Sequence, residues 1–419
     1  MTACDPSLSR RTLLSGAAAT LAAGCSAVGS PNRLSLWAMS YQGDYSPMLM
    51  PAFTRATGID VDVQSVPWTE AHQKLLTAHA GNALPDVLML SNGWIGEFAM
   101  IGAIAPVPSP ALLADLVPGL LDGTRVGGTA FAVPWSAAPP VQFYRRDLLA
   151  DAGYPAAPES WGEWRRMGAA LKRRRPDDFA FLMLLNWPQT LITMMIQTGA
   201  PMLRDRNTRG HFQTPEAREA LAYYVSLFTD GYAPKVLSTE VQDPLAALAQ
   251  GQFAVWPTGP TLLLDLHRRR AELPAERWGT ARLAGPDGPT RATAEDVSLC
   301  VSAASPRQAD AWRLVAHLTS PASELRFASL IGNLPARRSA WASLETSAPI
   351  LAPFAAQVRE IATTPRVVEW EQIQTEVQLI AERVVRGQLS VDQGLAEADR
   401  HVDRILAKRR ALVEAGRLA

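Results

Sequence analysis

The sequence is poor in cysteine, histidine and lysine, and it has no excess of basic over acidic side chains. Among 419 residues it has three cysteines, six histidines and four lysines, and its 40 basic and 40 acidic side chains cancel. A nucleic-acid binder needs surplus basic side chains to neutralise phosphates, so this balance does not support that class of protein, and we expect no nucleic-acid partner. The histidines are scattered and Cys300 stands alone in an apolar run. We therefore expect no metal ion, no cofactor and no intramolecular disulfide, and we expect Cys300 to be a buried apolar side chain.

Motifs of the common enzyme classes are also missing. The sequence contains no G-x-S-x-G, H-E-x-x-H, P-loop or G-x-G-x-x-G pattern. Paired carboxylates for glycoside hydrolysis depend only on a distance in space, so the sequence neither supports nor excludes them. We expect a protein without catalytic residues.

The sequence is instead rich in apolar residues and in tryptophan. Hydrophobic residues make up 47% of the chain, charged residues 19%, and there are 12 tryptophans against seven tyrosines and 11 phenylalanines. A chain of this length and composition can fold into two or three domains with substantial cores. Indole rings either fill such cores or form flat walls of a ligand site.

The first 25 residues look like an export signal. Arg10-Arg11 precedes a short, weakly apolar stretch that ends in small residues and Cys25. This stretch is too short for a permanent membrane helix and fits a cleaved secretory signal. The paired arginines resemble a twin-arginine signal, and residues 21–25 resemble the lipobox at which bacterial lipoproteins are lipidated on cysteine. An ordinary secretory signal with an incidental cysteine is the alternative, and twin-arginine and general secretion both stay open.

Strand-like and helix-like stretches alternate after residue 32, which predicts an α/β layer structure. Ser160, Ser305 and Ser390 are each followed three residues later by Glu or Gln, the spacing of a helix capping box. The early strands are predicted at 33–39, 58–63 and 87–90, further strands at 129–133, 140–145, 179–185, 252–256 and 297–302, and almost continuous helix from about 345.

Several blocks, taken in order, resemble one family. Singly they are weak, but together they cover residues 33–410 behind the lipobox-like segment. The family is that of the bacterial extracellular solute-binding proteins that serve sugar ABC importers, typified by maltose- and trehalose-binding proteins. The blocks are Gly81 with Pro85-Asp86-Val87, residues 98–107, residues 130–134 and 143–149, residues 152–163, residues 248–260, Ala311-Trp312 with residues 332–337, and residues 370–373 with 387–395.

This resemblance implies a two-lobed periplasmic-binding-protein fold of type II, α/β, in which each lobe is a sheet flanked by helices and the ligand cleft lies between the lobes. It places residues 1–24 in the signal and 25–32 in a tether. The first lobe is expected at 33–140 plus 292–340, and the second at 141–291 plus 341–419. It also implies a monomer anchored through lipid on Cys25 at the periplasmic or cell surface, with importer permease subunits as partners.

The resemblance further implies that ligand contacts come from loops that follow strands. Candidates for contact are residues that stand at such positions, and core packing is the alternative role for each tryptophan. Trp161, Trp164, Trp312 and Trp341 stand in helices or caps, and we expect them to pack. The candidates are Ser40, Tyr41, Trp68, Asn92, Trp94, Trp135, Trp187, Trp256, Thr258, Gly259, Glu295, Asp296, Arg337 and Trp370.

The sequence departs from the family pattern in two places. Glu295-Asp296 replaces a Gly-Gly pair found in many relatives, and Gly93 and Ala138 stand where relatives often carry carboxylates. The ligand implied by the family is a small sugar, such as the disaccharides trehalose or maltose, captured by hinge closure and delivered to the permease. The carboxylates at 295 and 296 indicate a change of specificity within sugars, an amino sugar or polyamine, or a narrower pocket that favours a disaccharide, and charges on a solvated loop are the alternative. Arg337 keeps glycerol 3-phosphate open. A secreted carbohydrate-active hydrolase is the rival from another class.

Overall fold

The computed structural model describes residues 32–293, 296–345 and 348–418. The predicted signal, the lipobox-like cysteine Cys25 and Glu295 lie outside these residues. Within the three described ranges, we find no helix that is both long enough and apolar enough to cross a bilayer.

The strands group into two main sheets and two short hairpins. They are β1 (Arg33–Met39), β2 (Asp60–Val66), β3 (Val87–Ser91), β4 (Arg125–Val126), β5 (Thr129–Ala130), β6 (Val133–Ala137), β7 (Val141–Arg145), β8 (Phe179–Phe181), β9 (Met202–Arg204), β10 (Arg209–His211), β11 (Phe253–Thr258), β12 (Trp278–Ala281), β13 (Val297–Val301) and β14 (Leu334–Pro335).

Helices cover the sheets and form most of the C-terminal part of the chain. They are α1 (Ser40–Tyr45), α2 (Met50–Thr57), α3 (Trp68–Ala80), α4 (Asn92–Met100), α5 (Pro118–Asp122), α6 (Arg146–Asp151), α7 (Trp161–Arg174), α8 (Pro188–Thr198), α9 (Pro215–Thr229), α10 (Pro244–Gln250), α11 (Leu262–Arg268), α12 (Gln308–Leu318), α13 (Pro321–Ile331), α14 (Arg338–Glu345), α15 (Ala352–Val358), α16 (Trp370–Val385), α17 (Val391–Ile405) and α18 (Ala407–Glu414).

The first lobe is built on a six-stranded sheet with the order β14-β6-β13-β3-β1-β2. Strands β1, β2 and β3 run parallel, whereas β13 runs antiparallel to β3 and β6. Strand β3 consists of apolar residues and is buried over Val87–Leu90, as a parallel strand covered on both faces should be. The parallel strands all end at the same edge of the sheet, which faces the second lobe.

The second lobe is built on a four-stranded sheet with the order β12-β7-β11-β8, in which β8 and β11 are parallel. Helices α7, α8, α9, α16 and α17 share one buried apolar core with this sheet. The chain passes from the first sheet to the second between β6 and β7 and returns between β12 and β13. The residues of these two passages, between Ala137 and Val141 and between Ala281 and Val297, therefore connect the lobes.

Local signals in the sequence explain most, but not all, helix starts. The capping boxes at Ser160 and Ser390 are confirmed, with both reciprocal hydrogen bonds present. The capping box predicted at Ser305 is wrong, because the helix begins at Gln308 with Arg307 as its N-cap. Ser305 Oγ accepts from the N–H of Arg307 at 3.1 Å and donates to Asp86 Oδ1 at 2.7 Å. The strand predicted at 179–185 ends at Phe181, and the one predicted at 129–133 is broken into β5 and β6.

The tryptophans expected in the core are there. Trp161, Trp164, Trp312 and Trp341 are all buried. Cys300 is also fully buried, and burial raises the pKa of its thiol, so it behaves as an apolar core side chain.

Candidate functional site

A pocket lies where the parallel strands β8 and β11 end, at the edge of the second sheet. This is the place where ligands bind in open α/β sheets. We call it the tryptophan pocket; its volume is about 150 Å³, and its lining includes Trp187, Gln189, Thr190, Trp256, Thr258 and Thr293. Pro188 begins α8 directly after Trp187, so the first turn of that helix also faces the pocket.

The apolar part of the tryptophan pocket is formed by three indole rings. Trp187 leaves 44% of its side chain exposed, and Trp256 is partly buried on β11. Trp164 is buried and donates from Nε1 to Gln142 Oε1 at 2.7 Å, so its ring is held in one orientation. Flat indole faces of this kind can pack against the C–H faces of a ring-shaped ligand.

The polar part of the tryptophan pocket comes mainly from α8. The side chains of Gln189 and Thr190 make no hydrogen bond to other described residues, so their polar atoms are available to a ligand. Deeper in, the hydroxyls of Thr193 and Thr293 lie 2.7 Å apart, and Gln197 Nε2 donates to the carbonyl of Ala284 at 3.1 Å. The pocket therefore combines apolar plates with a few fixed and a few free hydrogen-bonding groups.

A second and larger pocket lies between the lobes, next to the first. We call it the arginine pocket; its volume is about 400 Å³, and its lining includes Asn92, Arg125, Asp296, Arg366, Trp370 and Arg409. Thr293, on the passage from β12 to β13, lines both pockets. The two pockets are thus neighbouring parts of one cleft.

Side chains at the inter-lobe edge of the arginine pocket are tied to the passages between the lobes. Asp296 Oδ1 accepts from the backbone N–H of Ala138 at 3.1 Å, and its carbonyl accepts from the N–H of Asn92 at 3.2 Å. Asn92 Oδ1 accepts from the Ser298 hydroxyl at 2.6 Å. Asp296 therefore joins the end of β3, the passage after β6 and the start of β13, rather than lying on a solvated loop.

The structure brings many, but not all, of the sequence-predicted residues to this cleft. Trp187, Trp256, Thr258 and Gly259 line the tryptophan pocket, and Asn92, Asp296 and Trp370 line the arginine pocket. Gly93 lines the arginine pocket and Ala138 the tryptophan pocket, so the positions without carboxylates also face the cleft.

Trp135 and Arg337 lie inside the first lobe instead. Trp135 is 1% exposed and its ring stacks on Phe327 with centroids 4.6 Å apart. Arg337 is buried, and its guanidinium donates to the carbonyls of Leu112, Ala114 and Thr319. Both positions are those of core residues, and neither side chain is carried into the proposed site.

Four further candidates lie on the first lobe outside both pockets. Ser40 turns the chain from β1 into α1 with a left-handed backbone at φ 45°. Tyr41 and Trp68 are exposed, and Trp94 is buried with its ring 5.7 Å from that of Trp68 and 4.9 Å from that of His72. Contact of these four residues with a ligand stays a prediction.

Sequence reasoning missed part of the polar lining of both pockets. Gln189 and Thr190 follow β8 just as Trp187 does, so the rule that selected Trp187 applies to them as well. Arg125, Thr293 and Arg409 come from a hairpin, an inter-lobe passage and the last helix, and they carry no local signal. Among the described residues, no group of three or more His, Cys, Asp or Glu side chains could hold a metal ion.

The sequence profile of the bacterial extracellular solute-binding proteins matches residues 40–324. The chain belongs to this family. The structure of the sugar-binding protein MalE from Xanthomonas citri matches with a TM-score of 0.86 and 37% identity, covering 91% of this chain and 99% of that one. The predicted two-lobed periplasmic-binding-protein fold is therefore confirmed.

Two other relatives show how far sequence similarity extends. A chain from Brucella abortus (strain 2308) that carries the name of a binding protein without a stated ligand is 25% identical over 376 residues, which is 87% of this chain and 90% of that one. The mannitol-binding protein of Pseudomonas aeruginosa is 27% identical over 175 residues, 40% of this chain and 38% of that one. Similarity to solute-binding proteins thus covers the body of the chain.

Proposed function

We propose that this solute-binding protein captures a small carbohydrate in the cleft formed by the tryptophan and arginine pockets. The observation that carries the proposal is the partly exposed pair Trp187 and Trp256 beside the free polar groups of Gln189 and Thr190. Sugars present apolar C–H faces and rings of hydroxyls, and this lining offers a partner to each. Trehalose and maltose, the disaccharides expected from the family, are the first candidates.

Capture depends on how much more tightly the sugar binds the closed arrangement of the lobes than the open one. A sugar that contacts both lobes binds the closed arrangement better than the open one and shifts the population towards closure. The passages held by Asp296 and Thr293 are the elements about which the lobes move in this proposal. The closed form is the one delivered to the permease subunits of an ABC importer.

The same proposal includes export and a lipid anchor. Arg10-Arg11 and the residues up to Cys25 direct the chain out of the cytoplasm, and lipid on Cys25 holds it at the periplasmic or cell surface. Mass spectrometry of the mature chain tests this: diacylglyceryl mass on Cys25, lost in Cys25→Ala, is the expected result. An unmodified N-terminus further along the chain would contradict it.

The described lining gives no support to a hydrolase or to a polyamine binder. Glycoside hydrolysis needs two carboxylates across the scissile bond, whereas Asp296 is the one acidic side chain among the described lining residues of the two pockets. A polyamine needs several carboxylates, and the arginine pocket instead presents three guanidinium groups. Carbohydrate capture without chemistry fits the cleft better.

Intrinsic fluorescence and thermal-shift titrations of residues 26–419 test the proposal. The panel is trehalose, maltose, sucrose, glycerol 3-phosphate and spermidine. We expect saturable stabilisation by a carbohydrate, because a ligand that binds only the folded state raises its stability with concentration. Release of reducing sugar from an oligosaccharide during incubation would favour the hydrolase instead. A response to spermidine alone would overturn carbohydrate capture.

A further inference from the structure

The two halves of the cleft differ in charge. The described lining residues of the tryptophan pocket include no charged side chain, whereas those of the arginine pocket include Arg125, Arg366 and Arg409. The geometry points to a ligand with two unlike ends: a neutral sugar ring against Trp187 and Trp256, and an anionic group, phosphate or carboxylate, in the arginine pocket. This inference rests on the proposed capture of a carbohydrate and specifies its chemical class.

Within the described part of the chain, two of the three guanidinium groups have no acidic partner. Neither Arg125 nor Arg366 makes an ion pair with a described residue. Arg125 Nη1 donates to the carbonyl of Gly128 at 2.7 Å, which leaves its other N–H groups available. Arg366 is exposed on the segment that follows α15. Unpaired guanidinium groups that face one cavity are suited to bidentate contact with a phosphate or carboxylate.

Arg409 supplies the independent observation. Its side chain is 9% exposed, and its buried Nε has no hydrogen-bond partner among the described residues. The described residues place one acidic atom within 4 Å of its guanidinium, Glu369 Oε2 at 3.9 Å from Nη1, and they give this oxygen no hydrogen-bond partner either. A buried donor without an acceptor costs stability, so an acceptor supplied by a bound ligand would remove that cost.

Among the described residues, the acidic groups nearby are fewer than the basic ones. Glu369 faces Arg409, and Asp296 accepts the N–H of Ala138, so three described guanidinium groups stand against these two described carboxylates. The pocket also contains the start of α4, a nine-residue helix whose first N–H groups have no side-chain cap. A helix N-terminus adds partial positive charge at the same place.

Matched pairs of neutral and anionic probes test the inference. The pairs are glucose with glucose 6-phosphate, glucose with glucuronate, and trehalose with trehalose 6-phosphate, measured by calorimetry on residues 26–419. We expect at least one anionic member to bind about tenfold or more tightly than its neutral partner, as charged hydrogen bonds allow. The glucose pairs distinguish phosphate from carboxylate.

Arginine variants locate the anion. Arg125→Gln and Arg366→Gln are each expected to reduce the ratio of anionic to neutral affinity severalfold, because each removes a charged donor to the anion. Arg173→Gln, an exposed arginine on α7 away from the cleft, makes the same change of charge and serves as the control. Added salt is expected to weaken binding of the anionic member and spare the neutral one.

The outcomes separate the inference from the proposed function. Equal or tighter binding of the neutral sugars overturns the anionic group and leaves carbohydrate capture standing. An anionic preference that Arg125→Gln and Arg366→Gln do not change overturns its placement in the arginine pocket. Failure of every carbohydrate, neutral or anionic, removes the proposed function and the inference with it.

Discussion

Removing the indole of Trp187 should weaken carbohydrate binding about tenfold. An indole side chain has about 250 Å² of surface, so the exposed 44% of Trp187 is about 110 Å². A sugar ring stacked on one face covers about half of this, or about 55 Å². At about 25 cal/mol per Å² the lost contact is about 1.4 kcal/mol, which is about tenfold in Kd.

The assay is calorimetric titration of Trp187→Ala with the best carbohydrate of the panel. Trp187→Phe keeps a flat apolar face and should recover much of the affinity. Leu379→Ala, which truncates a side chain 52% exposed on α16 outside both pockets, is the control for loss of exposed apolar surface. Circular dichroism of each unliganded variant establishes that it is folded.

An unchanged Kd in Trp187→Ala would refute stacking on this ring. A loss of affinity in Leu379→Ala as large as that in Trp187→Ala would show that the effect is not local to the pocket. Either result would remove Trp187 from the proposed site.

Three further predictions concern the framework that holds the cleft. Arg337→Met should destabilise the protein by about 3 kcal/mol or more in urea unfolding, because buried carbonyls lose their donor, and the folded protein should keep its sugar affinity. Burial raises the pKa of Glu324 from 4.5 to about 8; its native form therefore retains a proton that the unfolded chain releases, and stability should fall as pH rises from about 5 to 8, a dependence that Glu324→Gln should flatten. Ser160→Ala should cost about 1 kcal/mol of unfolding free energy, since it removes the capping box of α7; no loss would mean that α7 is held by packing alone.

The sequence predicts the fold well because its signals are local and periodic. The apolar run of β3 and the capping serines at 160 and 390 act within a few residues of their own positions. Ser305 shows the limit, since the same local spacing gives no capping box: its Oγ accepts from the N–H of Arg307 and donates to Asp86, which is 219 residues away. A local spacing cannot reveal a partner brought in by the tertiary fold.

The same contrast between local signals and tertiary structure applies to the residues of the site. Trp187 and Trp256 could be predicted because strands that run parallel end at a common edge, and the residues there face the cleft. Trp135 follows the same kind of signal, but its ring faces α13 and stacks on Phe327. Side chains along a strand alternate between faces, and only the register of the sheet decides which face is the cleft.

The arginines of the arginine pocket could not be predicted from the sequence. Arg125 and Arg409 are separated by most of the chain, and each alone looks like an ordinary surface charge on a hairpin or a terminal helix. They line one cavity only because the fold brings the β4–β5 hairpin and α18 together. Such convergence is a property of the fold, not of any spacing in the sequence.

A crystal structure of residues 26–419 with the tightest-binding carbohydrate tests carbohydrate capture in this cleft most directly. We expect the sugar ring in van der Waals contact, within about 4 Å, of the indoles of Trp187 and Trp256, with its other end towards Arg125 and Arg409. Carbohydrate bound elsewhere on the protein, with both pockets filled only by water, would contradict the proposed site.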